Sequence, residues 1–151
     1  MTTWPPCDRP IQLLLVEDDP ADVRLMLEVL RESPLRHSTR VVSDGREALS
    51  ILRGEPPHAS GSRPDLVLLD LNLPGMHGRE VLAAIKQDPE ILEIPVVVLT
   101  TSNRPEDIQR AYRDRANGFV TKPSDLGEFI ESVRSLERFW FGAARLPGRA
   151  G

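Results

Sequence analysis

The chain lacks most of the features that would direct it to a membrane, to nucleic acid or to an oxidising compartment. It has one cysteine, Cys7, in 151 residues, which excludes an internal disulfide and a thiolate metal site. No apolar run approaches the ~20 residues a membrane span needs. Met1–Pro10 lacks the apolar centre of a secretory signal. There is no concentrated Lys/Arg block, and the net charge of −4 argues against a nucleic-acid or anionic-lipid partner. Internal repeats are absent. The length fits one domain with a full core, and the cytoplasm is the expected compartment.

What is present is an alternation of strand and helix patterns. Strands are predicted at 11–17, 39–43, 65–70, 95–100 and 118–121, and helices at 20–32, 45–53, 77–87, 104–114 and 125–141. In the first helix Val23, Met26, Leu27 and Leu30 recur at i, i+3, i+4, i+7, with Asp19-Pro20 as start signal. Leu126, Phe129, Ile130 and Val133 repeat that spacing in the last helix. Five strands alternating with helices imply a doubly wound, flavodoxin-like α/β fold: a parallel sheet with helices on both faces. Runs one, three and four are strongly apolar and belong in the centre, whereas runs two and five are shorter or more polar, as edges are. The order 2-1-3-4-5 satisfies this and sets strands one and three side by side at the switch point. Residues 1–10 read as a flexible leader, 11–141 as the domain and 142–151 as a tail. Gly54–Pro64, rich in Pro, Gly and Ser, reads as a long surface loop.

The chemistry gathers at the carboxyl ends of the strands. Leu13–Val16 runs into Glu17, Asp18 and Asp19, and Leu66–Leu69 runs into Asp70. Open α/β sheets bind ligands at this end. Neighbouring buried carboxylates need a positive partner, for which a divalent cation with oxygen ligands and a lysine are the natural candidates. Strand four ends in Thr100-Thr101-Ser102, strand five in Thr121-Lys122-Pro123, and Asp70 opens the turn Leu71-Asn72-Leu73-Pro74-Gly75. A carboxylate, a cation site, a hydroxyl and an ammonium around one point can hold a phosphoryl group, the carboxylate attacking phosphorus while the others neutralise its oxygens. Asp19 reads as a helix cap rather than a ligand. His37, His58 and His77 have no metal-site spacing and are expected to be exposed.

Val16-Glu17-Asp18-Asp19, Asp70 to Gly75, Val98-Leu99-Thr100-Thr101 and Lys122-Pro123 stand in order and at characteristic spacing. In these motifs the chain resembles the response-regulator receiver domains of bacterial two-component signalling, over roughly residues 11–138. The resemblance implies that Asp70 accepts phosphate from a kinase phosphohistidine. It implies Mg²⁺ held by Glu17, Asp18 and Asp70 with the Asn72 backbone carbonyl, Lys122 on the phosphate, and Thr100 and Phe119 as switch residues. The family's Lys-Pro bond is usually cis, so the resemblance makes Lys122-Pro123 a candidate for that form. Two departures appear: Glu at 17 lengthens the reach to the metal, and Phe at 119 has no hydroxyl.

Glu137-Arg138-Phe139-Trp140-Phe141 and Leu146-Pro147 are similar to the ending of single-domain regulators that serve bacterial phytochrome kinases. That resemblance implies a sensor histidine kinase of phytochrome type as partner. No output domain is expected after the last helix, so signalling would proceed by protein association or onward phosphotransfer. The protein is expected to receive phosphate rather than act as an enzyme, losing it slowly by itself. Successive helical residues are ~100° apart, so the three adjacent aromatics cannot all face the core, and a homodimer through this face is expected. Two competitors remain: a phosphatase of the haloacid-dehalogenase type, which needs Asp where Asn72 stands, and a receiver-like binding module that is never phosphorylated.

Overall fold

A computed structural model describes residues 9–58 and 62–147. The chain runs β1 (Ile11–Val16), α1 (Pro20–Arg31), β2 (His37–Val42), α2 (Gly45–Arg53), β3 (Leu66–Leu69), α3 (Gly78–Gln87), β4 (Val96–Thr100), α4 (Pro105–Arg113), β5 (Gly118–Thr121) and α5 (Leu126–Glu137). Its strands form one parallel sheet in the order β2-β1-β3-β4-β5, as strand polarity predicts. Residues alternate across the pleat. Leu14, Val16, Val67, Leu69, Val96 and Val98 pack on one face with α2, α3 and the buried Ala111 of α4. Leu13, Leu15, Leu66, Leu68, Val97 and Leu99 pack on the other with α1 and α5.

Register positions the acidic residues. Val16 pairs with Leu69 across β1 and β3, so Glu17 and Asp70 each lie one residue beyond a matched pair. Backbone bonds continue past the strands: Asp70 N donates to Val16 O at 2.9 Å and Glu17 N to Val42 O at 2.9 Å. On the other side Thr100 pairs with Thr121, and Lys122 N donates to Thr100 O at 2.6 Å.

Several local expectations are corrected. Strand two begins at His37 and ends at Val42, because Ile11 pairs with His37 and the ladder follows that register. In α1, Met26, Val29 and Leu30 are the buried residues, while Val23 and Leu27 are only half-buried. Leu126, which the spacing places on the core face, stands at the first position of α5 and is exposed. The last helix does not run as one α-helix to 141: α5 stops at Glu137 and Arg138–Ala143 form a π-helical turn, closed by Ala144 N donating to Phe139 O at 2.6 Å. The i→i+5 bond widens the turn and sorts the aromatics, leaving Phe141 buried, Trp140 half-buried and Phe139 52 % exposed. His37 is half-buried, its Nε2 meeting Leu30 O at 2.7 Å and its ring tilted on Phe141 at 5.1 Å. His58 and His77 are half-buried as well, and His77 Nδ1 caps α3 by accepting from Arg79 N at 3.1 Å. Among the described residues the cis peptide is Pro56–Pro57; Lys122–Pro123 is trans, the lower-energy form of an X–Pro bond. Residues 1–8 of the expected leader, 148–151 of the expected tail and 59–61 of the surface loop lie outside the described residues, whereas 142–147 are described: Gly142 and Ala143 belong to the π-helical turn, and Leu146 is buried.

Candidate functional site

Glu17 directly follows β1, whose last four residues are buried, and is itself 2 % exposed. Its Oε2 accepts from the backbone N–H groups of Asp18 at 3.1 Å and Asp19 at 3.4 Å, which folds the acidic stretch back on itself. Asp19 caps α1, accepting from Ala21 N at 2.9 Å and Asp22 N at 3.4 Å, and so takes the structural role its position before Pro20 implies. Asp18 is exposed beside it. Asp70 is buried, with Oδ1 accepting from Asn72 N at 3.1 Å; the turn after β3 therefore closes over the acid.

Glu17, Asp18 and Asp70 each present a carboxylate oxygen within 4.8 Å of the others. Lys122, also buried, reaches this group from the end of β5: its Nζ donates to Glu17 Oε1, to Asp22 Oδ2 at 3.0 Å and to Asp70 Oδ2 at 3.5 Å. Burial pushes the Glu17 carboxyl up to about 7, the hydrogen bond and charge of Asp70 adding to it against the opposing pull of Lys122. Burial alone would lower Lys122, but its bonds to Glu17 and Asp22 and the charge of Asp70 hold it above the ordinary lysine value. One ammonium does not neutralise these carboxylates. The donor set is all oxygen and anionic, closely spaced and undercompensated, which fits a hard divalent cation.

Thr100 is 1 % exposed at the end of β4, its Oγ1 accepting from Ser102 N at 3.4 Å. Thr121 Oγ1 donates to Ser102 O at 2.8 Å, tying the same loop to β5. Phe119, half-buried, stands opposite Val98 and packs against the core on the α2–α4 side. Thus Glu17, Asp18, Asp70 and Lys122 are brought into one cluster, Thr100 and Phe119 lie on the two adjoining strands, and Asn72 touches Asp70 through its backbone N–H.

Two residues escape sequence reasoning. Asp22 contacts Lys122 from the first turn of α1; its closeness to the acidic stretch was the available signal, but a first-turn acid is commonplace. Gly78 opens α3 against the backbone of the phosphoacceptor candidate: a Cβ there would lie 2.4 Å from Asp70 O and 2.5 Å from Leu71 Cα. Nothing in the sequence marks that approach.

A family model for the response regulator receiver domain matches residues 13–134. The chain belongs to that family. This receiver domain is 44 % identical over 138 residues to the response regulator Rcp1 of Synechocystis sp., covering 91 % of this chain and 94 % of that protein. Among solved structures it resembles the phosphorylated cyanobacterial phytochrome response regulator RcpA, with TM-score 0.89 and 46 % identity over 93 % of this chain and 100 % of that one. The Mn²⁺-bound form of Rcp1 is similar at TM-score 0.89 and 43 % identity, covering 92 % and 100 %. Phosphorylation on an aspartate is the mechanism of the family, whose members accept phosphate rather than turn over a substrate, and its divalent-metal site is the acidic cluster. Among the described residues no helix is long and apolar enough to cross a membrane.

Proposed function

We propose that this receiver domain, residues 11–141 of the chain, takes a phosphoryl group on Asp70 from the phosphohistidine of a sensor kinase. Its relation to Rcp1 and to the phytochrome regulator RcpA supports a kinase of phytochrome type. The observation that carries the reading is the Lys122 ammonium 3.5 Å from Asp70 Oδ2 within a cluster of carboxylates. An Asp70 oxygen attacks phosphorus, the N–P bond breaks, and its electron pair returns to the imidazole. Lys122 donates to a phosphoryl oxygen, and Thr100 turns its hydroxyl inward to do the same. Phe119 then packs into the space Thr100 leaves, altering the surface of α4, β5 and α5. Glu17, Asp18, Asp70 and the Asn72 carbonyl would hold Mg²⁺, which supplies positive charge to the phosphoryl oxygens when bound.

The acyl phosphate is lost slowly by hydrolysis, and the signal leaves by protein association or onward phosphotransfer in the cytoplasm. Exposed Phe139, edge-on to Trp140 at 5.0 Å, supports a homodimer through the C-terminal face. Asn72 argues against the phosphatase reading, because its amide cannot supply the general acid that Asp would.

Incubating the native protein with acetyl phosphate or beryllofluoride tests the assignment. Wild type should be modified in Mg²⁺; Asp70→Asn and chelation should each abolish modification. Labelling of Asp70→Asn at the wild-type level would overturn it.

A further inference from the structure

An ammonium has three N–H donors and no acceptor. In Lys122 the three are directed to Glu17, Asp22 and Asp70, so none is spare. The contacts are unequal. Asp22 Oδ2 lies at 3.0 Å, an ordinary charge-assisted hydrogen bond, while Asp70 Oδ2 lies at 3.5 Å, at its outer limit. The lysine is thus held closer to α1 than to the end of β3. Asp22 is outside the three-carboxylate cluster of Glu17, Asp18 and Asp70, and its side chain is 29 % exposed. Its charge nevertheless adds to a site that must receive a phosphoryl dianion.

We propose that Asp22 is a positioning residue for phosphoryl transfer: its carboxylate draws the Lys122 ammonium towards α1, and Lys122 reaches a phosphoryl group on Asp70 only by giving up that contact. Asp22 thereby sets how readily the group is accepted and how long it stays. This rests on the reading of Asp70 as phosphoacceptor. On entry, an Asp70 oxygen bonds to phosphorus as the donor's bond breaks, and acetyl phosphate releases acetate with the electron pair. On exit, water adds to phosphorus, the bond to Asp70 breaks, and free carboxylate and inorganic phosphate result. On entry Lys122 meets the charge arriving on the phosphoryl oxygens, and once the acyl phosphate has formed the same contact stabilises the bound group that hydrolysis must remove. Removing Asp22 as an acceptor frees one N–H for those oxygens and removes one repelling charge.

The test uses the full chain as wild type, Asp22→Asn and Asp22→Glu, with acetyl phosphate and Mg²⁺. Labelling rate, lifetime after donor removal and the Lys122 side-chain ammonium resonance are measured together. Asp22→Asn should accept phosphate about three- to tenfold faster and keep it longer by a similar factor, the size expected when one charged hydrogen bond is redistributed. Its Lys122 resonance should move in the unphosphorylated protein, and Asp22→Glu, which restores a carboxylate, should return rate and resonance towards wild type. A carboxylate that serves only the α1 dipole would lower the melting temperature of Asp22→Asn while rate, lifetime and resonance stay at wild type, and that result overturns the proposal. So does slower labelling of Asp22→Asn. An Asp70→Asn control separates the two readings: if it is inert while Asp22→Asn behaves as wild type, only the role of Asp22 fails; if it labels normally, the phosphoacceptor assignment fails first.

Discussion

Replacing Lys122 with alanine removes the ammonium that Glu17, Asp22 and Asp70 share. Deleting one partner of a buried ion pair costs about 3–5 kcal/mol, because the remaining charge is left without compensation. Here the loss is eased, since Asp22 can turn towards water and Glu17 can take up a proton. About 3 kcal/mol at pH 8 is the expectation, or about 6–12 °C in melting temperature for a chain of this size. The pH dependence follows from Glu17. Its value in the folded protein, about 7, lies above the 4.5 of the free side chain, so the folded state binds more protons between those limits. Stability from this group is therefore gained as pH falls from about 7 to 4.5 and is absent above 7. Lys122 opposes the rise of Glu17, so without it the window extends to higher pH and the variant's deficit narrows on acidification. Mg²⁺ should stabilise both proteins, since both keep the three carboxylates, by about 2.7 kcal/mol at a hundredfold excess over each one's Kd. Circular-dichroism melts of wild type and Lys122→Ala at pH 8 and pH 6, with and without Mg²⁺, provide the comparison. A metal-free variant melting within about 2 °C of wild type at pH 8 would refute the reasoning, as would a deficit that widens with acid.

Thr100→Ala should still be labelled at Asp70 but fail to change partner affinity on phosphorylation; a wild-type shift in kinase or dimer binding would remove Thr100 from the switch. Gly78→Ala places a methyl group 2.4 Å from Asp70 O, so a loss of about 1–3 kcal/mol is expected, together with weaker Mn²⁺ binding by titration calorimetry as Asp70 is displaced. Unchanged Mn²⁺ affinity would show that the contact is structural only. Phe139→Ala/Trp140→Ala should be monomeric by light scattering where wild type is dimeric, and a wild-type monomer at about tens of micromolar would reject the dimer.

The sheet order was legible because burial writes itself into composition: Leu13–Val16, Leu66–Leu69 and Val96–Leu99 are apolar throughout, whereas Thr39–Val42 includes Thr39 and Arg40. The acidic cluster was legible because Glu17, Asp18 and Asp70 directly follow such runs. Contacts set by three-dimensional approach left no comparable trace. Asp22 looks like any first-turn acid, and Gly78 like any glycine at a helix start. The π-helical turn after Glu137 was invisible because its residues pattern as a continuing α-helix, and the change from i→i+4 to i→i+5 bonding accompanies a long-range contact, Phe141 on His37, that the local sequence does not show. Leu126 fits the apolar spacing of α5 yet has no neighbour to bury it, since periodicity reports the face of a helix and not where the partner element ends.

The unequal lengths of β3 and β4 bear on how this sheet can deform. Leu69 of β3 is matched to Val98, but β4 runs on through Leu99 to Thr100 and is matched there only to β5. Lys122 N on Thr100 O and Thr121 Oγ1 on Ser102 O add two more stitches on that side. Glu17 N on Val42 O and Asp70 N on Val16 O stitch the opposite side. Beyond the last β3–β4 pair the backbone lacing therefore divides into two halves, one bearing the acids and the other the hydroxyl and the ammonium, and the Lys122 side chain is what spans them. Movement of the strand ends past Leu69 and Val98 breaks no matched strand pair, so a new group there works against the Lys122 ion pairs and side-chain packing rather than against the β-ladder.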